Sequence, residues 1–295
     1  IAKLGLLKMD FLGLTNLTIL DRTLKLLEKK EGLKLALQQI PLDDKGTFEL
    51  LSSGQTNEVF QLESVGMQRY IRELKPSTLS DVAAMIALYR PGPMDQIPVF
   101  IDAKHGRRPV RSPHPSLDTI LEDTYGVIVF QDQVLHILQT FAGYTLGEAD
   151  IVRKAMGKKI AALMGKERDR FLAGAKANGF DREVAQEVFN LIEPFAGYAF
   201  NKAHSVSYAL IAYWTAYFKA NHPLIYMASV LNGRRDQPEK MNNAANECIR
   251  MGIPVLYPDV NRSEVEFTID RGQEGKPGVR FGLAAIKNVG EGAVG

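Results

Sequence analysis

Apolar residues run almost unbroken through LGLLKMDFLGL (4–14), broken by Lys8 and Asp10 two positions apart. Read as a strand, the stretch places Lys8 and Asp10 on one face and Leu7, Met9 and Phe11 on the other. Beyond it the period lengthens: Leu17, Leu20, Leu24 and Leu27 recur at helical spacing, and Gly32 is a plausible stop. VFQLESVGMQRYIREL reads as a short strand followed by a helix. TLSDVAAMIALYRPGP reads as a helix capped by Ser80 that must end before Pro91 and Pro93. The proline- and base-rich stretch from Pro91 to Pro115 is predicted to be an exposed loop. GVIVF (126–130) predicts a short buried strand feeding a helix from Asp132 to Phe141. Thr145 and Glu148 form a T-x-x-E capping box for the helix carrying DIVRKAMGKK. Further helices are predicted over Arg182–Ile192, over HSVSYALIAYWTAYFKANHP up to Pro223, and over Glu239–Met251. IPVLYPDVN, VEFTI and GVRFGL then read as short strands separated by Gly, Pro and Asp turns. The predicted fold is mainly α, with short strand at the N-terminal end and a small α+β C-terminal part.

Composition narrows the class. The 295 residues leave room for one large domain or two to three smaller ones, and 45% hydrophobic with 24% charged residues is ordinary for a globular protein. No apolar run reaches the roughly 18 residues a membrane span needs. The chain opens at Ile1 without an initiator Met or a leader, so it is expected to be a piece of something longer. The single cysteine, Cys248, excludes an internal disulfide framework and a Cys-rich zinc site, and a reducing cytoplasm is expected. A net charge of +2 is too small to announce a polyanion binder. The distribution says more: Asp150–Arg170 carries seven Lys or Arg against three Asp or Glu, and Ala103–Arg111 carries Lys104, Arg107, Arg108 and Arg111 with no acid. Such runs are ordinarily solvated faces.

Four stretches could carry chemistry. Asp10 beside Lys8 is the minimum for metal-assisted phosphoryl chemistry, with the carboxylate on Mg²⁺ and the ammonium on phosphate. An edge-strand ion pair worth about 0–1 kcal/mol is the alternative. One carboxylate cannot hold two metals, so partners for Asp10 would have to lie outside this chain. On a helix, Asp150, Arg153, Lys154, Gly157 and Lys158 share a face on which a triphosphate could lie; an exposed helix of mixed charge fits equally well. Lys202, His204 and Tyr208 bring a cation, a titratable ring and an aromatic to a helix start, a combination suited to phosphate contact and base stacking. Tyr213, Trp214, Tyr217 and Phe218 beyond them are expected in the core. AAIKNVGEGAVG resembles the hairpin of a helix-hairpin-helix unit, whose amides contact DNA phosphates without reading sequence. The common P-loop, dinucleotide, zinc-protease and serine-hydrolase motifs are absent.

Taken together, KMDFLGL, IPLDDKGTFELL, VFQLESVGM, LYRPGP, YGVIVFQDQV, GYTLGEADIVRKAMGKK, FAGYAFNKAHSVSYALIAYWTAYFKANHP and GLAAIKNVGEG closely resemble the alpha subunit family of bacterial DNA polymerase III, the C-family replicative polymerases. The resemblance implies three regions: the last palm strand (1–20), the fingers (21–240) and the start of the region that holds duplex DNA and leads to the clamp contact (241–295), with a truncated helix-hairpin-helix. It makes Asp10 the third of three catalytic metal-binding carboxylates and Lys8 a phosphate contact. Arg153, Lys154 and Lys158 then face the incoming triphosphate, with lysine at 154 where the family often has a second arginine, which loses the bidentate fork. Asn201, Lys202, His204 and Tyr208 face the nascent base pair. Arg90, Lys104, Arg107, Arg108, Lys159, Lys287, Gly290 and Gly292 are the DNA-binding candidates. The implied partners are primer–template DNA, deoxynucleoside triphosphates and, through the parent chain, the sliding clamp and other replisome subunits. Mg²⁺ is the implied cofactor. The fragment is expected to be inactive alone. The rival expectation is a non-catalytic helical DNA-binding module, whose binding would fall steeply with salt and ignore Mg²⁺ and the added nucleotide.

Overall fold

The computed structural model describes residues 4–6, 9, 13–108, 113–157, 161–193, 195, 199–272 and 275–294, and the side chains of 154–157 and 161–164 are not among what it describes. The strand predicted over 4–14 lies largely outside these residues. In chain order the helices are α1 (Thr15–Glu31), α2 (Lys45–Ser53), α3 (Val65–Leu74), α4 (Leu79–Leu88), α5 (Ile97–Lys104), α6 (Ser116–Leu121) and α7 (Gln131–Ala142). They continue with α8 (Leu146–Gly157), α9 (Ala161–Ala177), α10 (Arg182–Ile192), α11 (Lys202–Asn221), α12 (Pro223–Arg234) and α13 (Pro238–Arg250). Strands β1 (Val255–Leu256), β2 (Thr268–Arg271) and β3 (Pro277–Arg280) form one small sheet. The protein is mainly α, as its periodicity predicts. No described helix is long and apolar enough to cross a membrane.

The chain forms two compact units, 1–41 with 57–60 and 214–295, and 42–56 with 61–213. In the first, α1 packs along α12, which also receives α13 and the sheet. β3 is central, parallel to β1 and antiparallel to β2, so Val279 faces Val255 on one side and Ile269 on the other. α1 buries Ile19, Leu20, Thr23 and Leu27 and ends where Gly32, at φ +68°, donates its amide to the Glu28 carbonyl. The Gly supplies the left-handed turn that closes a helix without Cβ strain. The helix expected to stop at Pro223 ends at Asn221, and Pro223 opens α12, where a missing N–H costs nothing.

The strand predicted at VFQL is replaced by turns. Side chains occupy the backbone groups a ladder would have used. Lys219 donates to the Asn57 carbonyl (2.6 Å), Tyr226 donates to the Glu58 carbonyl (2.6 Å), and the Phe60 amide donates to Thr215 Oγ1 (3.1 Å). Lys219 and Glu247 are an ion pair with both side chains almost fully buried, and Glu247 also accepts from Arg250 and from Asn57 Nδ2. Burial pushes the Glu247 carboxyl up, but hydrogen bonds from Arg250, Lys219 and Asn57 outweigh it and bring it down to about 2. A depressed carboxyl contributes stability above its unfolded value, lost as pH falls through its folded one. We therefore expect stability to fall between pH about 4.5 and 2 by about 3 kcal/mol from this group. Denaturant titrations across that range should show the loss in the wild type and a much flatter profile in Glu247→Gln.

In the second unit, α4 begins two residues earlier than Ser80 would place it. Thr78 is the cap, accepting the Asp81 amide at 3.2 Å, and Asp81 returns bonds to the Ser77 and Thr78 amides. Asp81 is fully buried and also holds Lys104 and the Tyr125 hydroxyl, the latter at 2.8 Å. Burial pushes its carboxyl up; hydrogen bonds from Lys104, Ser77 and Tyr125 outweigh that and leave it below the usual carboxylate value. The exposed loop predicted from Pro91 to Pro115 instead contains α5, which buries Ile97, Phe100 and Ile101. Its apolar positions are spaced for one helical face, which the surrounding prolines and arginines masked.

Helices α6 to α10 enclose a core of Leu121, Ile137, Phe141, Phe171, Val188 and Phe189 among others. Phe141 stacks on Phe180 at 4.4 Å between centroids. The helix predicted over Arg182–Ile192 is α10, and the Thr145–Glu148 capping box is present in both directions. α7 and α9 approach so closely that a Cβ on Gly174 would lie 2.4 Å from the Ala142 carbonyl oxygen. Gly147, in the first turn of α8, faces open space. Gly174→Ala should destabilise the chain by about 1–3 kcal/mol through overpacking against backbone. Gly147→Ala should stabilise it by about 0.5–1 kcal/mol, because only the unfolded chain's entropy changes. Chemical denaturation of the two variants should give shifts of opposite sign.

Candidate nucleic-acid interface

Where the strand at GVIVF was predicted, residues 126–129 form no ladder; Phe130 alone makes a parallel bridge, to Phe200. The Phe200 amide donates to the Val129 carbonyl (3.0 Å) and the Gln131 amide to the Phe200 carbonyl (2.9 Å). Hydrophobicity alone drew the strand; the amides of Val129 and Phe130 are instead taken by the Gln133 side chain, both at 2.9 Å.

This bridge assembles a cluster of cations and rings. The Arg90 guanidinium lies over the Phe200 ring at 4.2 Å and donates to the Ala87 carbonyl at 2.7 Å. Burial lowers its pKa, and a guanidinium remains charged all the same. The Lys202 ammonium lies 5.7 Å from the Phe130 ring centre and 3.2 Å from Asp123. His204 stands edge-on to Phe200 at 5.4 Å and overlaps Tyr208 at 4.2 Å, one turn further along α11. Asn201 caps that helix: its Oδ1 accepts the His204 amide at 2.9 Å. Two cations on aromatic faces beside a close, tilted His–Tyr pair can hold phosphate and offer a face to a base. Lys202, His204, Tyr208 and Asn201 were visible in sequence as neighbours. Arg90 joins them through Phe200, and Phe130, Phe200 and Asp123 were missed, because no local spacing links segments so far apart.

The other candidates are dispersed. Arg153 donates to Asp150 Oδ1 through Nε and Nη2, at 3.2 and 2.9 Å, within α8 itself. Lys8, Asp10, Lys158 and Lys159 lie outside the described residues, as does the Lys154 side chain. Lys104 is buried on Asp81, not presented to solvent, and Arg107 pairs with Asp102 at 2.8 Å. Arg108 is exposed at the rim of a pocket of about 550 Å³ that Val99, Tyr125, Val127 and Phe195 also line. Much of the basic run in α8 and α9 is neutralised locally, Arg168 by Glu193 and Arg170 by Glu148. Two hydrogen bonds from Thr145, with Arg170 beside it, bring Glu148 down to about 2. Lys287 sits on an exposed turn between two short 3₁₀ segments, and Gly290 caps the second of these, Glu291–Ala293, which contains Gly292. Among the described residues no group of three or more His, Cys, Asp or Glu could hold a metal.

Because Asn201 works as a cap, Asn201→Ala should cost about 1 kcal/mol, and Asn201→Ser should cost well under half of that. Denaturation of both variants checks this; equal losses would mean the amide group has another task in the folded chain.

Residues 16–179 match the family described as the bacterial DNA polymerase III alpha subunit finger domain, and residues 252–295 match the helix-hairpin-helix motif. The chain is 48% identical over 293 residues to the DNA polymerase III subunit alpha of Thermus aquaticus, covering 98% of this chain and 24% of that protein. It is 47% identical over 291 residues to that of Bacillus subtilis, covering 99% and 26%. The subunit alpha of Pseudomonas aeruginosa is 45% identical over 301 residues, covering 98% and 25%. The chain thus spans about a quarter of the length of these relatives.

Proposed function

Since the chain belongs to the bacterial DNA polymerase III alpha subunit family, we propose that it is the nucleotide-binding part of a template-directed DNA polymerase. Residues 1–20 are read as the end of the palm, 21–240 as the fingers and 241–295 as the start of the duplex-DNA and clamp-binding region. The parent would act in the cytoplasm, where the sliding clamp and other replisome subunits are its partners. The observation that carries this reading is the match of 16–179 to the finger domain, the stretch that holds Arg90 and α8.

In the proposed reaction the primer 3′-hydroxyl oxygen attacks the α-phosphorus of the deoxynucleoside triphosphate and pyrophosphate leaves. Two Mg²⁺ ions would stabilise the attacking and leaving oxygens. This chain offers one proposed ligand, Asp10, with Lys8 beside it; a single carboxylate does not hold two ions, so the rest of that site would come from outside residues 1–295. What this chain contributes is charge and shape. Arg153, Lys154 and Lys158 on and just beyond α8, with Lys202, offset charge on the triphosphate. The Lys202 ammonium would exchange Asp123 for phosphate, and His204 with Tyr208 would offer the stacking face to the nascent pair. Arg90, Arg107, Arg108, Lys159 and the turns at Lys287, Gly290 and Gly292 would meet DNA phosphates without reading bases. Lys104, committed to Asp81, has no part in that surface.

The decisive experiment is primer extension by the parent polymerase with Mg²⁺, wild type against Asp10→Asn. A loss of about a thousandfold or more, with primer–template binding retained, is expected of a catalytic metal ligand. Near-normal extension would reduce Asp10 to an ion-pair partner of Lys8. The isolated 295-residue chain should not extend a primer. Binding that depends on the nucleotide paired with the next template base favours the polymerase reading. Binding that responds to salt alone favours a non-catalytic DNA-binding module.

A further inference from the structure

Gln133 is a buried polar side chain, 5% exposed, in the first turn of α7. A glutamine at this position ordinarily closes a capping box by accepting one amide, that of the capping residue. Gln133 does more. Its Oε1 accepts from both Val129 and Phe130, and its Nε2 donates to Thr124 Oγ1 at 2.7 Å and to the Ile120 carbonyl at 3.4 Å. Thr124 is itself fully buried and donates to the Leu121 carbonyl at 3.2 Å.

The two segments clamped by this one side chain are those that flank Lys202. Thr124 adjoins Asp123, whose carboxylate holds the ammonium; Phe130 supplies the ring beneath it and is the bridge partner of Phe200. Phe200 in turn carries Arg90 and His204. Both described partners of Lys202 therefore lie in segments that Gln133 ties together, Asp123 beside the bonded Thr124 and Phe130 through its own amide. Losing those bonds would leave the Val129 and Phe130 amides in a dry interior without an acceptor and would unfasten Thr124, still bonded to the Leu121 carbonyl, from α7, so both segments would shift.

We propose that Gln133 is a positioning residue for nucleotide recognition: it sets the distance between the Asp123 carboxylate and the Phe130 ring, and so aims the Lys202 ammonium at the triphosphate. The inference rests on the nucleotide reading of the Lys202 cluster given above. Gln133 touches no substrate; it acts through the two segments it joins.

The test uses the full-length parent polymerase and steady-state primer extension with the next correct deoxynucleotide. Gln133→Met keeps the length of the side chain and removes every hydrogen bond. Gln133→Glu keeps an acceptor for both amides and loses the donor. In Gln133→Met the KM for the nucleotide should rise about tenfold while kcat stays within about threefold and primer–template affinity is unchanged, the pattern of lost ground-state positioning. Gln133→Glu should recover part of that loss. Added to Lys202→Ala, Gln133→Met should raise KM no further, since it works through the same ammonium.

A Gln133→Met enzyme with a lowered melting temperature but a KM within about twofold of wild type, assayed while folded, would make Gln133 a purely structural residue and overturn the proposal. Full additivity in the double variant would do the same. If Gln133→Met fails to fold, the KM of Gln133→Glu decides in its place, an unchanged value counting against the proposal. Lys202→Ala separates the two layers: an unchanged KM there defeats the nucleotide reading of the cluster. A raised KM in Lys202→Ala beside an unchanged one in Gln133→Met defeats only the role given to Gln133.

Discussion

The second unit turns on two backbone hydrogen bonds, those that join Phe200 to Val129 and Gln131. They close a long loop containing α7 to α10, and loop closure of that kind is held against chain entropy only by what packs inside it. Here the interior is the aromatic and aliphatic core around Phe141, Phe171 and Phe189, and the rim of the closed loop is the cluster of Arg90, Phe200, Lys202 and His204. Core and candidate site are therefore two consequences of one pairing. A lone bridge with two hydrogen bonds contributes only about 1–3 kcal/mol net. Its position depends on the side chains that prevent alternatives, Gln133 foremost.

The same logic, buried side chains standing in for a missing ladder, recurs in the first unit. Asn57–Phe60 forms turns, and Lys219, Tyr226 and Thr215 bond its backbone from α11 and α12. An ion pair as deeply buried as Lys219–Glu247 gives little net stability over a well-packed apolar pair, yet removing one partner is costly because the other charge is left dry. What such a pair provides is uniqueness. Lys219 meets the Asn57 carbonyl and Glu247 at once, which ties the placement of the segment to α13. Asp81 does the equivalent in the second unit, joining the start of α4, the end of α5 and Tyr125 through one carboxylate.

Local pairing also changes how the basic stretches read. A count of charges along Asp150–Arg170 suggests an open positive face, but Arg153, Arg168 and Arg170 each lie on a carboxylate within the unit. The pairs of Arg168 and Arg170 are part-exposed and worth little to stability, while the Arg153 side chain is the least exposed of the three. Lys104 differs: its side chain is 8% exposed, with the ammonium shared between Asp81 and Ser77, and desolvation on that scale makes withdrawal costly.

Periodicity and capping chemistry were legible along the chain because both are local. The span of α10, the Thr145–Glu148 box, the Gly32 stop and the mainly helical class follow from residues within a turn or two of one another. The short motifs around Lys202 and Arg153 were legible for the same reason, as neighbours on one helix. The errors share the opposite cause. GVIVF and VFQL carry the hydrophobicity of strands, but whether an extended segment joins a ladder depends on what offers it hydrogen bonds. Here the offers come from Gln133 in one case and from α11 and α12 in the other. Likewise nothing near Lys104 in the chain announces Asp81, and nothing near Arg90 announces Phe200. Which helices form is written in spacing that any short window contains. Which cations stay buried and which meet a ligand is a property of distances between segments remote in sequence, set when the loops close and each buried polar group finds its one available partner.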